Sequence, residues 1–159
     1  MNQLPILERR RIEALVLKNV YEVLRERSGE EEAQAAIGEA VTRSAIDQGK
    51  VFAEELGRTP DLQDFADILP LWTKDNALEI EVLSQGKDHF DFNVKRCRYS
   101  EMYRDMGLGH IGHLLSCNRD GDFCIGYNPD MKLERTQTIM KGASHCDFRY
   151  SLETQEQGA

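Results

Sequence analysis

The chain of 159 residues has the length of one domain and the composition of a folded protein, with 40% hydrophobic and 30% charged residues. Its formal net charge of −8 argues against nucleic-acid binding, because phosphate backbones require clustered Lys and Arg. The run Arg9-Arg10-Arg11 falls in a helical pattern and is interpreted as a solvated face. No apolar stretch approaches the roughly 20 residues that span a membrane, and therefore no membrane partner is expected.

The four cysteines predict a reducing, cytoplasmic location. The first residues soon turn charged and lack the layout of a signal peptide, so the thiols are expected to stay free of disulfides. No Cys-x-x-Cys occurs, and no cofactor is expected. A bound metal is the alternative, since zinc would suit a set of Cys97, Cys117, Cys146 and His145 if the fold brought them together.

The first half of the chain is predicted to be helical. Gly29 ends a first helix as a C′ glycine would, and a second helix follows over about residues 30–56. Thr59-Pro60-Asp61 then predicts the start of a short third helix, which Pro70 ends. The first helix carries apolar residues at helical spacing from Ile12 onward: Leu15, Val16, Val20, Val23 and Leu24.

The apolar stripe of the second helix contains many small residues, with Gly38 and Gly49 beside them. Small residues let another helix approach closely, which favours a homodimer formed through the N-terminal helices. The pattern is equally compatible with a stripe that only covers the chain's own sheet.

The second half of the chain changes from helical spacing to alternation. Apolar and charged residues alternate over 78–82 and again over 90–95, with a hairpin turn at 84–88 between them. The remaining predicted elements are two short helices over 99–106 and 111–115 and strands over 123–127, 131–140 and 146–150.

Helices followed by strands define the expected fold class as α+β. We expect N-terminal helices followed by an antiparallel sheet of about five strands, with two short helices inserted. Residues 1–159 are predicted to form a single domain, with a helical part over 1–72, a sheet part over 73–152 and a frayed tail over 153–159.

The candidate chemistry lies among cysteine and histidine residues of the second half. Cys117 stands where a short helix gives way to a polar turn, and such a junction can stabilise a thiolate; the alternative is a buried, inert cysteine. Cys146 alternates in phase with the aromatic residues of the last strand and should face the core, whereas His145 should point the other way. We therefore expect His145 to meet Cys117 or Cys97 rather than its neighbour.

Several charged residues are candidates for binding or proton transfer. Glu101 and Asp120 can act as general acid or base if they are partly desolvated. Arg98, Arg119 and Arg135 can hold a substrate carboxylate, because a planar guanidinium grips it in bidentate fashion. Arg135 lies in phase with apolar neighbours, and a charge on such a face requires a partner or a ligand.

Five short motifs stand out in the second half: Cys97-Arg98-Tyr99-Ser100-Glu101-Met102-Tyr103, Leu115-Ser116-Cys117-Asn118-Arg119-Asp120, Gly126-Tyr127-Asn128-Pro129, Arg135-Thr136-Gln137-Thr138-Ile139-Met140, and the ending from Gly142 to Tyr150. In this order they resemble the L-2-amino-thiazoline-4-carboxylic acid hydrolase family, strongly over about residues 95–150 and loosely over the helical half. The ending, a glycine turn followed by Cys-x-Phe, also resembles four-vinyl-reductase-type ligand-binding domains.

The resemblance implies hydrolytic opening of a cyclic isothiourea or amidine ring to a carbamoyl-cysteine, with a small molecule as the partner. The roles that follow are Cys117 as nucleophile, His145 as base, Glu101 or Asp120 beside the amidinium-like group, and Arg135 or Arg98 as carboxylate clamp. Cys146 completes the catalytic candidates, and Asn118, Tyr99 and Cys97 complete the substrate-binding ones. The alternative function is a non-enzymatic sensor domain that binds a small ligand or a metal.

Overall fold

A computed structural model describes residues 4–153 of the chain. Helix α1 spans Ile6–Ser28 and helix α2 spans Glu30–Leu56. Gly29 joins them with a φ of 88°, a conformation that glycine adopts without steric cost. Helix α1 begins before the apolar pattern does, because the Leu, Glu and Arg residues that precede Ile12 are good helix formers.

The buried side of α1 is not the side that the apolar pattern marks. The helix buries Ile6, Arg10, Ala14 and Tyr21. Most apolar residues of the pattern instead face solvent, with exposed fractions between 41% and 63% for Leu15, Val16, Val20 and Val23, whereas Leu24 packs against the core. The interpretation of the arginine run as a solvated face is therefore wrong for its middle residue, which is 3% exposed.

The small residues of α2 pack against a later helix of the same chain, α6, which spans Arg119–Tyr127. A Cβ atom added at Gly49 would lie 2.3 Å from the carbonyl oxygen of Phe123, and one added at Gly126 would lie 1.9 Å from that of Ile46. The backbones of the two helices thus touch at a pair of glycines. Close approach was expected from the small stripe, but the partner is neither a second subunit nor the sheet.

Two short helices follow α2. Helix α3 spans Leu62–Ile68, and its N-cap is Asp61 rather than Thr59. The side chain of Asp61 accepts a hydrogen bond from the backbone N–H of Asp64 at 2.9 Å. The side chain of Asp64 in turn accepts one from the backbone N–H of Asp61, which completes a capping box. Pro70 does not simply end this helix, because it also begins helix α4, Pro70–Thr73.

The sheet has four antiparallel strands rather than about five. Strands β1, Leu78–Gln85, and β2, His89–Cys97, form the predicted hairpin. Strands β3, Met131–Glu134, and β4, Cys146–Leu152, complete the sheet in the order β1-β2-β4-β3. Pairing of Val94 with Cys146 and of Phe92 with Phe148 sets the register of the two central strands.

The strand predicted over 123–127 is part of helix α6. Phe123 and Tyr127 are both buried while Ile125 is 54% exposed, which is helical spacing rather than alternation. The long strand predicted over 131–140 ends at Glu134. Beyond it the backbone N–H groups of Thr136 and Gln137 donate to the Asp147 carboxylate instead of to a strand.

Helix α5, Arg98–Asp105, and a π-helical turn, His113–Cys117, are the two short helices expected between the strands. Helix α6 packs in one cluster with the aromatic rings of the central strands, whereas α5 and the π-helical turn pack in a second cluster with α1 and α2. Of the tail predicted over 153–159, all but the first residue lies outside the described residues. No helix among residues 4–153 is long and apolar enough to cross a membrane.

Candidate active site

A cavity of about 60 Å³ lies between the sheet and the helices that cover it. Its walls come from almost every element of the fold, including α1 through Arg10, α4 through Trp72 and β4 through Phe148. A second cavity of about 40 Å³ adjoins it, since both are lined by Arg10, Trp72, Arg119 and Asp120. We call the first the outer cavity and the second the inner cavity.

Seven of the sequence-predicted site residues line the outer cavity. They are contributed by the end of β2, by α5, by the π-helical turn, by the start of α6, by the segment after β3 and by β4. They are Cys97, Tyr99, Cys117, Arg119, Asp120, Arg135 and Cys146.

The π-helical turn determines how Cys117 enters the cavity wall. The N–H of Asn118 donates to the carbonyl oxygen of His113 at 2.9 Å, five residues earlier, which is the wide turn of a π-helix. Ser116 and Cys117 both line the cavity as a result. Asn118 itself is exposed and lines a shallow surface groove that also touches Cys117 and Arg135.

The other predicted residues lie elsewhere. Arg98 and Glu101 line an open groove on the outside of the molecule, where Arg98 donates to the carbonyl oxygen of Asp75 at 3.0 Å. Glu101 pairs with Arg96 at 3.2 Å. His145 is half-buried in the turn before β4, where its ring contacts Ser144 at 2.9 Å, and it is not among the residues that line either cavity.

Burial keeps the cavity thiols protonated. Burial, followed by the nearby Asp120 carboxylate, raises the pKa of Cys117 to about 12. Burial also raises the pKa of Cys146 to about 11 and raises that of Cys97. Each cysteine is therefore a thiol at neutral pH until a base removes its proton.

The charged centre of the outer cavity is an ion pair between Arg135 and Asp120. Arg135 Nη1 donates to Asp120 Oδ2 at 2.7 Å, and Arg135 Nη2 donates to the carbonyl oxygen of Cys117 at 2.8 Å. The guanidinium also lies 4.9 Å from the ring centroid of Phe148. Burial raises the pKa of Asp120, and the Arg135 guanidinium partly offsets that effect. The carboxylate can thus accept a proton more readily than an exposed aspartate.

A cluster behind this ion pair contains residues that the sequence did not indicate. Arg10, from the run interpreted as solvated, and Gln48 both line the inner cavity. Arg10 follows Ile6 and precedes Ala14 at intervals of four, so the buried helical stripe itself was the available signal. Within residues 4–153, no group of three or more His, Cys, Asp or Glu side chains has the arrangement to hold a metal ion.

Two solved structures with a similar fold each contain a bound small molecule. The phenol-responsive sensory domain of the transcription activator PoxR, solved with phenol, aligns with a TM-score of 0.52 at 11% identity, covering 96% of this chain and 75% of that one. A trafficking protein particle complex subunit 3 from Naegleria fowleri, covalently bound to palmitic acid, aligns with a TM-score of 0.52 at 9% identity, covering 92% and 96%. At such identities the likeness concerns the fold alone.

The family is defined by the sequence. The profile of the L-2-amino-thiazoline-4-carboxylic acid hydrolase family matches residues 9–150, which is most of the chain and includes the helical half. The chain belongs to the L-2-amino-thiazoline-4-carboxylic acid hydrolase family. No curated protein sequence matches it significantly.

Proposed function

We propose that the protein is a hydrolase that opens a cyclic isothiourea or amidine ring to a carbamoyl-cysteine-type product. The observation that carries the proposal is that Cys117 lines the same cavity as the Arg135–Asp120 ion pair, with Arg135 bonded to the Cys117 carbonyl oxygen. Membership of the hydrolase family supports the same reaction class. The Asp120 carboxylate in the lining of this cavity is a suitable partner for a planar amidinium-like ring.

In the covalent version of the reaction, the sulfur of Cys117 attacks the amidine carbon while Asp120 takes the thiol proton. The ring carbon–sulfur bond breaks, and the ring sulfur takes a proton and becomes the thiol of the cysteine moiety. Water then adds to the same carbon, and its oxygen becomes the carbonyl of the carbamoyl group. Cys117 leaves that carbon and recovers its proton, so the net change is the addition of one water molecule.

Asp120 is the base in this proposal, and His145 is not. Asp120 lines the outer cavity together with Cys117, whereas His145 lies outside it with its ring against Ser144. Burial raises the pKa of Asp120, which makes this carboxylate a better proton acceptor than an exposed aspartate. Glu101 cannot share the role from its exterior groove.

The test is ring opening of L-2-amino-thiazoline-4-carboxylic acid, followed through release of the new thiol and by mass spectrometry of the product. We expect Cys117→Ser and Asp120→Asn each to lower kcat at least a hundredfold in a folded protein. Cys124→Ser is the matched control, because Cys124 is buried but does not line the outer cavity. Full activity of Cys117→Ser would leave only an activated water as nucleophile.

A ligand-binding sensor is the second candidate function. The raised pKa values of all three cavity thiols favour it, because protonated thiols are poor nucleophiles. The sensory domain of PoxR has a similar fold. Saturable binding of the thiazoline without any product after prolonged incubation would support the sensor over the enzyme.

We also propose that a second copy of the chain covers the exposed apolar face of α1. Ile12, Leu15, Val16, Val20 and Val23 form this face, and each is at least 41% exposed. Glu8 and Arg9 precede the face and Glu26 and Arg27 follow it, so each end carries both signs and can pair with an identical helix. The four free cysteines agree with a reducing, cytoplasmic location for such a dimer.

Sedimentation velocity tests the dimer. Val16→Glu is expected to convert it to a monomer, because two carboxylates would face each other across the contact. Ile125→Glu is the control, since Ile125 is similarly exposed, at 54%, but lies on α6. A dimer that persists in Val16→Glu, or a monomeric parent protein, would refute the assignment of this face.

A further inference from the structure

Two buried arginines meet on the carboxylate of Glu13. Arg10 is 3% exposed, and its Nη1 donates to both oxygens of Glu13 at 3.0 Å. Arg119 is 5% exposed, and its Nη2 donates to the same carboxylate at 3.1 Å. Arg119 Nε is bonded to the carbonyl oxygen of Leu115 at 2.8 Å, and Arg10 Nη2 to Gln48 Oε1 at 3.0 Å. These bonds hold both guanidinium groups in fixed positions.

Two donors of this cluster remain without an acceptor. Among the side chains of residues 4–153, Arg119 Nη1 and Gln48 Nε2 are buried and make no hydrogen bond. Both residues line the inner cavity. An unsatisfied buried donor is costly, and the cost is larger for a charged group. Because both unmatched groups are N–H donors, the missing partner is a hydrogen-bond acceptor.

The charges around the cavities point to an anion. Among residues 4–153, Arg10, Arg119 and Arg135 form ion pairs with two carboxylates, those of Glu13 and Asp120, so the cluster has one excess positive charge inside an acidic protein. Burial, followed by repulsion from Arg10, lowers the pKa of Arg119 to about 10, and the group is still charged at neutral pH. One negative charge would complete the cluster.

We infer that the inner cavity is the carboxylate subsite of the active site, in which Arg119 Nη1 and Gln48 Nε2 donate to a ligand carboxylate. The inference rests on the proposed function for the identity of the ligand. It assigns carboxylate recognition to neither Arg135 nor Arg98: Arg135 is committed to Asp120 and to a carbonyl oxygen, and Arg98 lies on the exterior. A ligand whose carboxylate binds there extends its ring along Arg119 and Asp120, which line both cavities, toward Cys117 in the outer cavity.

The experiment compares two probes, L-2-amino-thiazoline-4-carboxylic acid and 2-amino-2-thiazoline, which lacks the carboxylate. Calorimetry gives the ratio of their Kd values for the intact protein. We expect the acid to bind about 10–100-fold more tightly, as for a charge-assisted hydrogen bond. Gln48→Leu and Arg119→Gln should each abolish most of the preference for the acid. The affinity for 2-amino-2-thiazoline should change less than threefold in both variants.

Gln48→Glu keeps the test decisive if Arg119→Gln does not fold. A carboxylate at position 48 supplies the missing negative charge within the chain, so Tm should rise and the preference for the acid should disappear. A structural role for Gln48 predicts a lower Tm instead. An unchanged preference, a lower Tm, or equal binding of both probes to the parent protein would overturn the inference.

The two proposals fail in different ways. Selective binding of the acid without ring opening would refute the hydrolase and support the carboxylate subsite. Ring opening with equal efficiency for both probes, unaffected by Gln48→Leu, would refute the subsite and leave the hydrolase intact.

Discussion

Replacing Gly126 by alanine tests the closest contact in the fold. Elsewhere in an α-helix this change stabilises by up to about 1 kcal/mol, because alanine has the higher helix propensity. At position 126 the new Cβ would lie 1.9 Å from the carbonyl oxygen of Ile46, whereas Cβ atoms essentially never approach other atoms within 3.0 Å. Helices α2 and α6 would have to separate by about 1.1 Å.

The obstacle is backbone, so no side-chain rotation can relieve it. Overpacking a core costs about 1–3 kcal/mol when neighbours can shift, and here two helices must move together. We expect Gly126→Ala to lower the free energy of unfolding by at least about 2 kcal/mol and Tm by about 4–8 °C. Because α6 carries Asp120, the separation should also lower activity.

Urea denaturation at constant pH measures the effect. Gly38→Ala is the matched control in α2, since an added Cβ there meets only Leu114 Cδ2 at 3.6 Å, an ordinary contact. It should be neutral or stabilising by up to about 1 kcal/mol. Equal or greater stability of Gly126→Ala compared with the parent protein would refute the backbone contact between α2 and α6.

Three further measurements test other parts of the structure. Burial alone would raise the pKa of Asp147, but hydrogen-bond donors from Thr136 and Gln137 lower it below its ordinary value. The ionised carboxylate therefore stabilises the fold at any pH above its pKa in the unfolded chain. This stabilisation is lost as the pH falls through its pKa in the folded protein. Asp147→Asn should therefore destabilise by about 1 kcal/mol in urea titrations at pH 7 and by much less at pH 3. Because burial raises the pKa of Cys117 to about 12, we expect this thiol to react with iodoacetamide at pH 7.5 at least about a hundredfold more slowly than glutathione does. The rate should rise tenfold for each pH unit. Rapid labelling would contradict the burial of this thiol. Asp61→Ala removes the cap of α3 and should cost about 1 kcal/mol, whereas Asp67→Ala near the other end of that helix should not.

Local pattern determined much of the element order. Alternation over β1 and β2, with a polar turn between them, sufficed for the hairpin, and in β4 the phase of Cys146 correctly predicted that this side chain is buried. The need of Arg135 for a partner also followed from its apolar surroundings, and Asp120 meets that need. These features depend on near neighbours in the chain, which periodicity reports directly.

Tertiary structure decided which faces are buried and which residues meet. The apolar stripe of α1 predicted the helix, yet the helix buries Arg10 because Glu13 and Gln48 satisfy its guanidinium there. The segment 123–127 became helical because Gly126 lets α6 lie against α2, a gain that no local alternation records. The sequence also allowed His145 to approach Cys117, but the structure places its ring against Ser144, outside the outer cavity.

The candidate site divides in the same way. The sequence by itself indicated seven of the residues that line the outer cavity, because cysteine, arginine and aspartate in apolar surroundings are conspicuous. Only the packing of α1, α2 and α6 on the sheet joined Arg10, Gln48 and Arg119 into one cluster. Burial and charge balance are sums over residues distant in the chain, and therefore only the tertiary structure fixes them.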